Sequence, residues 1–297
     1  MTTSLSLLLL LLIARPAVAQ KGAADIGERL LADATIRAAI EAARTGEAQV
    51  LAEQVRLCEI PAPTFHEERR AVPVKAEFEA LGLRNVRIDA IGNVIGERPG
   101  RSARPHVMLA SHLDTVFPDG TDLTVKREGA LLKGPGIGDN CRGLAAMLGV
   151  IRTMNAAKVE TPGTITFVAN VREEGQDNLG GVRHLLEGEF KGGVDRFISM
   201  DGSGIGYTYL DVGTQRYRVT FSGPGRHSYY AFGIANPMHA MGRAMANIGD
   251  LQVPSHPRTT FSVGRSGGGT SVNSIAFEAW LEVDMRSHDP AALTVLI

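Results

Sequence analysis

Four short segments of this chain carry acidic or histidine side chains directly after apolar, strand-like runs: Ser-His112-Leu-Asp114, Gly-Ile-Gly-Asp139-Asn, Arg-Glu173-Glu174-Gly and Met-Asp201-Gly. Imidazole and carboxylate together make a ligand set suited to Zn²⁺, and four such segments read as a two-metal hydrolase site. In His112-Leu-Asp114 the two-residue period of a strand puts both side chains on one side. A carboxylate there can fix the orientation and tautomer of a ligating imidazole. The glycines before Asp139 admit close backbone approach, which suits a carboxylate bridging two cations. Glu173 and Glu174 follow the buried-looking run Thr-Ile-Thr-Phe-Val-Ala-Asn, where adjacent carboxylates are costly unless cations compensate them. One can hold metal while its neighbour takes the proton from an attacking water.

Each segment alone has an ordinary explanation: a strand-end histidine, an N-cap aspartate before an apolar helix, a solvated charge run with Arg172, an Asp-Gly turn. The weight lies in their joint occurrence. A phosphate loop is the rival at Asp139, but Gly-x-x-x-x-Gly-Lys-Ser/Thr is absent and Gly-x-Gly alone is a weak signal.

Something must bring these segments together, and the pattern between them supplies it. Ala23 to Leu57 has helical spacing of apolar residues, Pro61 and Pro63 interrupt, and Glu67 to Leu81 resumes a helix that stops at Gly82. Strand-like pieces follow at Val86–Ile88, Val94–Ile95, Val107–Ala110, Ile165–Val171 and Phe197–Met200, with helices expected over Gly143–Met154 and Val182–Leu186. Strands alternating with helices predict an α/β fold with a mostly parallel, helix-covered sheet. In open sheets of this kind ligands bind beyond the carboxyl ends of the strands. Past Gly213 the texture changes to β-α-β-β: Tyr217–Phe221, Pro237–Leu251, Thr259–Val263 and Ala276–Met285. A catalytic domain over 20–213 and a smaller α+β domain over 214–297 are therefore expected. Asp289-Pro290 then opens another helix, and its early stop leads us to expect a C-terminally truncated sequence.

Composition bounds the rest. With 297 residues, 44% of them hydrophobic, the chain can build a large core. Its 31 basic and 32 acidic side chains leave no basic excess for nucleic acid. The apolar run Leu5–Ile13 and the small residues Ala17-Val18-Ala19 predict a signal peptide over 1–19, hence export to the periplasm or beyond the cell. That run is too short for a stable membrane span. Cys58 and Cys141 allow at most one bridge, and two free thiols packed as small hydrophobes are expected.

Beyond these segments, the chain carries Gly-Pro-Gly-Arg-His227-Ser and Gly-Gly-Thr-Ser-Val-Asn273-Ser, with Val-Asp284-Met-Arg286 near its end. In this order, from about Val50 to the last residue, the motifs resemble the M20 family of metallopeptidases and amidohydrolases, which includes carboxypeptidase G2-like, aminoacylase-like and tripeptidase-like enzymes. The resemblance implies a di-zinc aminopeptidase-like catalytic domain with an inserted lid and dimerisation domain, here incomplete. It implies that Asp139 bridges two divalent metals, that His112 and Asp201 complete one site, and that Glu174 serves the other. Glu173 is then the general base and Asp114 the orienter of His112. The small domain's His227 would enter the partner subunit's active site, making the full-length form a homodimer, while Asn273 and Arg286 would hold substrate. The family's last metal ligand is a histidine near the end of a longer chain; His184, His256 and His288 lie in other segments and are not assigned to it. The site of Glu174 is accordingly expected to lack one protein ligand.

The activity expected is that of an exopeptidase: hydrolysis of peptide bonds in small peptides by metal-activated water, with a glutamate base. An N-acyl amino-acid deacylase would use the same groups on a smaller acyl substrate. A third reading, from another class, is an inactive fragment or a metal-dependent binding protein.

Overall fold

The computed structural model describes residues 17–297 apart from 176 and 203, with side chains from 25 onward. The apolar run of the expected signal peptide therefore lies outside the described residues. Two compact units divide the chain, Met1–Gly204 and Ile205–Ile297.

The first unit opens with helices α1 (Ala17–Ala32), α2 (Ala34–Thr45) and α3 (Glu47–Cys58). Helical periodicity predicts one continuous stretch here, but the chain breaks it twice for local reasons. Asp33 caps α2, its carboxylate accepting from Thr35 N at 2.8 Å and Ile36 N at 3.1 Å. Gly46 then closes α2 and opens α3. Helix α4 (Glu68–Ala80) ends before Gly82, whose φ of 78° is one that glycine adopts freely. Strands β1 (Arg84–Ile88), β2 (Val94–Arg98) and β3 (Val107–His112) follow, then the short hairpin β4 (Lys126–Glu128) and β5 (Leu131–Lys133), helix α5 (Cys141–Ala156), β6 (Ile165–Asn170), α6 (Gly180–Glu187) and β7 (Arg196–Ser199). The hairpin is too short and too polar to show in hydrophobic periodicity.

Five strands form one sheet in the order β1-β2-β6-β3-β7. The pairings of β3 with β6 and with β7 are parallel, whereas β1, β2 and β6 pair antiparallel. The sheet is thus mixed, and parallel where three strands end side by side. Alternation along β6 sends Phe167 and Ala169 into a core with Leu57, Phe78, Leu144 and Leu148 on the side of α3, α4 and α5, and Val168 into a second core with Leu185 of α6. Helices therefore cover both faces.

Arg70 of α4 is fully buried and ties these layers together. Its guanidinium donates to the carbonyls of Leu113 (2.7 Å), Ile60 (2.6 Å) and Cys58 (3.3 Å), fixing the end of α3 to the segment leaving β3. Cys58 and Cys141 are both buried and free, as expected.

The second unit holds β8 (Gly213–Ser222), β9 (Arg226–His227), α7 (Pro237–Gly249), β10 (Thr259–Gly268), β11 (Ser274–Ile275), β12 (Glu278–Ser287) and α8 (Pro290–Leu296). The β-α-β-β order of the sequence is present, with one two-residue ladder, β9 with β11, added. An antiparallel sheet in the order β10-β12-β8 packs Ala279, Leu281, Val283 and Met285 of β12 against Met241 of α7 and Leu293 of α8. The chain before β8 is tied to the end of β12, where His288 Nδ1 donates to the Asp211 carbonyl at 3.3 Å.

Candidate metal centre

His112 ends β3, Glu173 and Glu174 lie just past β6, and Asp201 lies just past β7. Since β3 runs between β6 and β7, all parallel, these four side chains gather at the carboxyl edge of three adjacent strands. Asp139 reaches the same place by another route. It sits in the turn between the β4-β5 hairpin and α5, outside the sheet, rather than at the end of a sheet strand as the pattern predicts.

The side chains meet around the imidazole of His112. Its Nε2 lies 3.0 Å from Asp139 Oδ1, 3.6 Å from Asp201 Oδ1 and 4.0 Å from Glu173 Oε2. On the other side of the ring, Nδ1 lies 3.0 Å from the backbone carbonyl of Asp114 and 3.4 Å from its carboxylate. Nδ1 therefore carries a proton, and Nε2 is the atom presented to the acids. Asp114 thus lies against Nδ1 with its backbone oxygen closer than its carboxylate.

The Asp114 carboxylate has a second task that the sequence does not announce. It accepts the backbone N–H of Glu173 at 3.1 Å, that of Glu174 at 2.9 Å and the Thr64 hydroxyl at 3.0 Å. Buried completely, it joins the ligand-bearing end of β3 to the Glu173-Glu174 turn. Its carboxyl is held below the ordinary range: burial opposes ionisation, but the bonds from His112 and the two N–H groups outweigh it.

Asn140, not Asp139, caps α5. Its Oδ1 accepts from Gly143 N at 3.1 Å, while Nδ2 donates to Ser111 Oγ at 3.0 Å and to the Met200 carbonyl at 2.9 Å. One buried amide thus fastens the ends of β3 and β7 to the start of α5 and leaves the Asp139 carboxylate uncommitted to capping. The signal was present in Asp-Asn-Cys-Arg-Gly, since a cap residue precedes a glycine by three positions. A Cβ at Gly143 would fall on Asn140 Oδ1, the Met200 carbonyl and Ser111 Oγ.

The donor set fits divalent metal. Two groups have ligand atoms within 4.8 Å of one another: His112, Asp139 and Asp201, and His112, Glu173 and Glu174. Burial would lower the His112 pKa, yet the bonds to Asp114, Asp139 and Asp201 push it up to about 12. Burial, reinforced by neighbouring acids, raises Glu173 and Glu174, whereas the bond to His112 lowers Asp201. A cation would satisfy the same field. His112 is the one imidazole among these residues. One Nε2 serves one ion, so a second ion in this cluster rests on carboxylates alone.

His227 and Asn273 come together in the second unit. Ser274 pairs with His227 across the β9-β11 ladder, and Ser228 N donates to the Asn273 carbonyl at 2.9 Å. Tyr229 N donates to His227 Nδ1 at 3.3 Å, so the neutral ring carries its proton on Nε2. Arg286 stands apart from them on β12, its Nε donating to Asp284 Oδ2 at 2.7 Å, while Arg216 Nε donates to Asp284 Oδ1 at 2.8 Å. Both bonds hold Asp284 below the ordinary carboxylate range against a burial effect that opposes them.

The profile of peptidase family M20/M25/M40 matches residues 108–293, a span that begins in β3 and takes in every residue of the metal cluster. The chain belongs to this family. Among curated relatives it is 29% identical over 196 residues to succinyl-diaminopimelate desuccinylase of Corynebacterium glutamicum, covering 65% of this chain and 52% of that protein. It is 26% identical over 225 residues to carboxypeptidase G2 of Pseudomonas sp. strain RS-16, covering 72% and 53% respectively. The chain thus spans about half the length of the curated relatives it matches. Among solved structures, a tripeptidase of Staphylococcus aureus subsp. aureus Mu50 superposes with a TM-score of 0.65 at 25% identity, over 84% of this chain and 69% of that one. The M20 resemblance and the α/β architecture read from the sequence both hold.

Proposed function

We propose that this chain is a metal-dependent hydrolase that cleaves the amide bonds of small peptides, with Glu173 as general base. The observation carrying the proposal is the gathering of one imidazole with the carboxylates of Glu173, Glu174 and Asp201 beyond three adjacent strand ends, joined there by Asp139 from the turn before α5. Zn²⁺ suits such a set of nitrogen and oxygen donors. When bound by His112, Asp139, Asp201 and Glu174, divalent metal supplies Lewis acidity that lowers the pKa of water and polarises the scissile carbonyl.

The protein's own groups do the rest. Glu173 is half-buried, and its raised pKa brings it nearer the range of an effective base at neutral pH. It takes the proton of the attacking water and hands it to the leaving amine. Asp114 keeps Glu173 in place through the backbone. His227, with its proton on Nε2, is a donor for the tetrahedral oxyanion, supplied from the second subunit of a homodimer. Asn273 and Arg286 hold the substrate. Export is part of the proposal, on the strength of Leu5–Ile13 and Ala17-Val18-Ala19. Among the described residues no helix is long and apolar enough to cross a membrane.

A second reading, an N-acyl amino-acid deacylase, is favoured by the similarity to a desuccinylase. Zinc-loaded protein assayed on di- and tripeptides and, in parallel, on N-acetyl and N-succinyl amino acids separates the two. Glu173→Ala should keep the wild-type metal content and lose turnover by about 10²- to 10⁴-fold; retained turnover would remove Glu173 from the role of base. Bound metal with no hydrolysis of either panel would favour a binding protein.

A further inference from the structure

Four consecutive backbone N–H groups, 171 to 174, lead from β6 into the Glu173-Glu174 turn, and each is taken by a buried side chain. Val171 N donates to Asn93 Oδ1 (3.0 Å), Arg172 N to Glu67 Oε1 (3.0 Å), and Glu173 N and Glu174 N to the two oxygens of Asp114. Asn93, Glu67 and Asp114 are all buried. The turn carries no ladder bonds of its own, so its course is set by these acceptors.

Glu67 has no place in the metal cluster, and its position at the start of α4 does not account for it. Its side chain makes no capping bond there. Instead its Oε1 also accepts Phe65 N, at 3.1 Å. Both donors have left-handed backbones, φ 75° at Phe65 and 58° at Arg172, a conformation that side-chain-bearing residues adopt only when surroundings impose it. The Arg172 guanidinium lies 5.3 Å from the centre of the Phe65 ring, which brings the two loops together a second time. Next in sequence, Thr64 and Glu173 meet on Asp114.

We infer that Glu67 is a positioning residue for Glu173: its carboxylate straps the turn after β6 to the loop before α4, and so sets where Glu173 stands relative to His112. The inference rests on the reading of Glu173 as the base. It predicts that what matters at position 67 is a hydrogen-bond acceptor.

Glu67→Gln retains an acceptor oxygen at the same reach, and Glu67→Met fills similar space without one. Amide hydrogen exchange, metal content and steady-state kinetics should be measured on zinc-loaded protein. The Phe65 and Arg172 amides should be protected in wild type and Glu67→Gln, and exchange rapidly in Glu67→Met. All three proteins should bind the same amount of zinc. The methionine variant should lose about 10²-fold in kcat, the scale of an ångström's misplacement, with KM unchanged, and the glutamine variant should stay within a fewfold of wild type. Equal loss in both variants, or protected amides and normal kcat in Glu67→Met, would overturn the inference. If Glu67→Met does not fold, rapid exchange of the two amides in wild type would overturn it. Absence of amide hydrolysis in wild type would fault the functional reading instead, and the exchange comparison would still decide the strap.

Discussion

The Asp114 carboxylate accepts the backbone N–H of Glu174 at 2.9 Å. A residue that the sequence offers as a partner for His112 therefore also governs the opposite wall of the cluster. Asp114→Ala leaves the Glu173 and Glu174 amides and the Thr64 hydroxyl without their acceptor. We expect a loss of about 2–4 kcal/mol in urea unfolding of metal-free protein, and weakened zinc binding. An unchanged urea midpoint would show that the carboxylate is not what holds the turn.

Zinc binding should release protons. In metal-free protein the His112 pKa is raised to about 12 from an unfolded value of 6.5, so its contribution to stability is complete below pH 6.5 and is lost as pH climbs toward 12. Asp114 and Asp201 lie below their unfolded value of 3.8; their contribution is present above 3.8 and is lost as pH falls through the lower folded values. Metal requires neutral imidazole, so zinc should bind more tightly as pH rises. Calorimetric titration near pH 7 in two buffers of different ionisation enthalpy should give different heats; identical heats would contradict a protonated His112.

The first zinc equivalent should bind much more tightly than any second. His112 is the one imidazole among the clustered residues, and its Nε2 can serve only one ion. His112→Ala should abolish the tight equivalent in equilibrium dialysis. Two equivalents of equal affinity in wild type would contradict a single imidazole-bearing site.

Gly143→Ala should destabilise the fold by about 1–3 kcal/mol and reduce zinc affinity. The added methyl group collides with Asn140, Ser111 and the Met200 carbonyl, the contacts that seat Asp139 and Asp201 beside His112. Unfolding curves and zinc titrations on the same preparation check both effects, and a neutral outcome would mean the cap can shift without cost.

Trp280 is the only tryptophan in the sequence, so its fluorescence reports the second unit. A Cβ on Gly267 would lie 2.7 Å from its ring, while the Arg218 guanidinium sits 4.0 Å from the ring centre on the same strand-paired face. Gly267→Ala should change the emission and lower the fluorescence-monitored urea midpoint without altering zinc affinity, because the cluster belongs to the other unit. A shift in zinc affinity would contradict this expectation.

Much of this was legible in the chain itself. Strong apolar periodicity marked β2, β3, β6, β7 and α5, because strand and helix periods are local properties of the sequence. The segments bearing His112, Glu173, Glu174 and Asp201 stood out because unlike, costly side chains recur after apolar strands. The breaks at Asp33 and Gly46 leave no mark in the apolar spacing, which continues across them, because a single cap or glycine ends a helix without changing that spacing.

What the sequence determined alone was a set of candidate ligands and the strands that carry most of them. Tertiary structure decided their relationships. Placing β3 between β6 and β7 gathered Asp139, Asp201 and Glu173 within 4.0 Å of His112 Nε2. It also gave Asn93, Glu67, Asp114 and Asn140 their tasks, since each accepts or donates across separations of roughly 30 to 105 residues. Hydrogen bonds between such distant positions depend on how the layers stack, and a one-dimensional pattern carries no record of that.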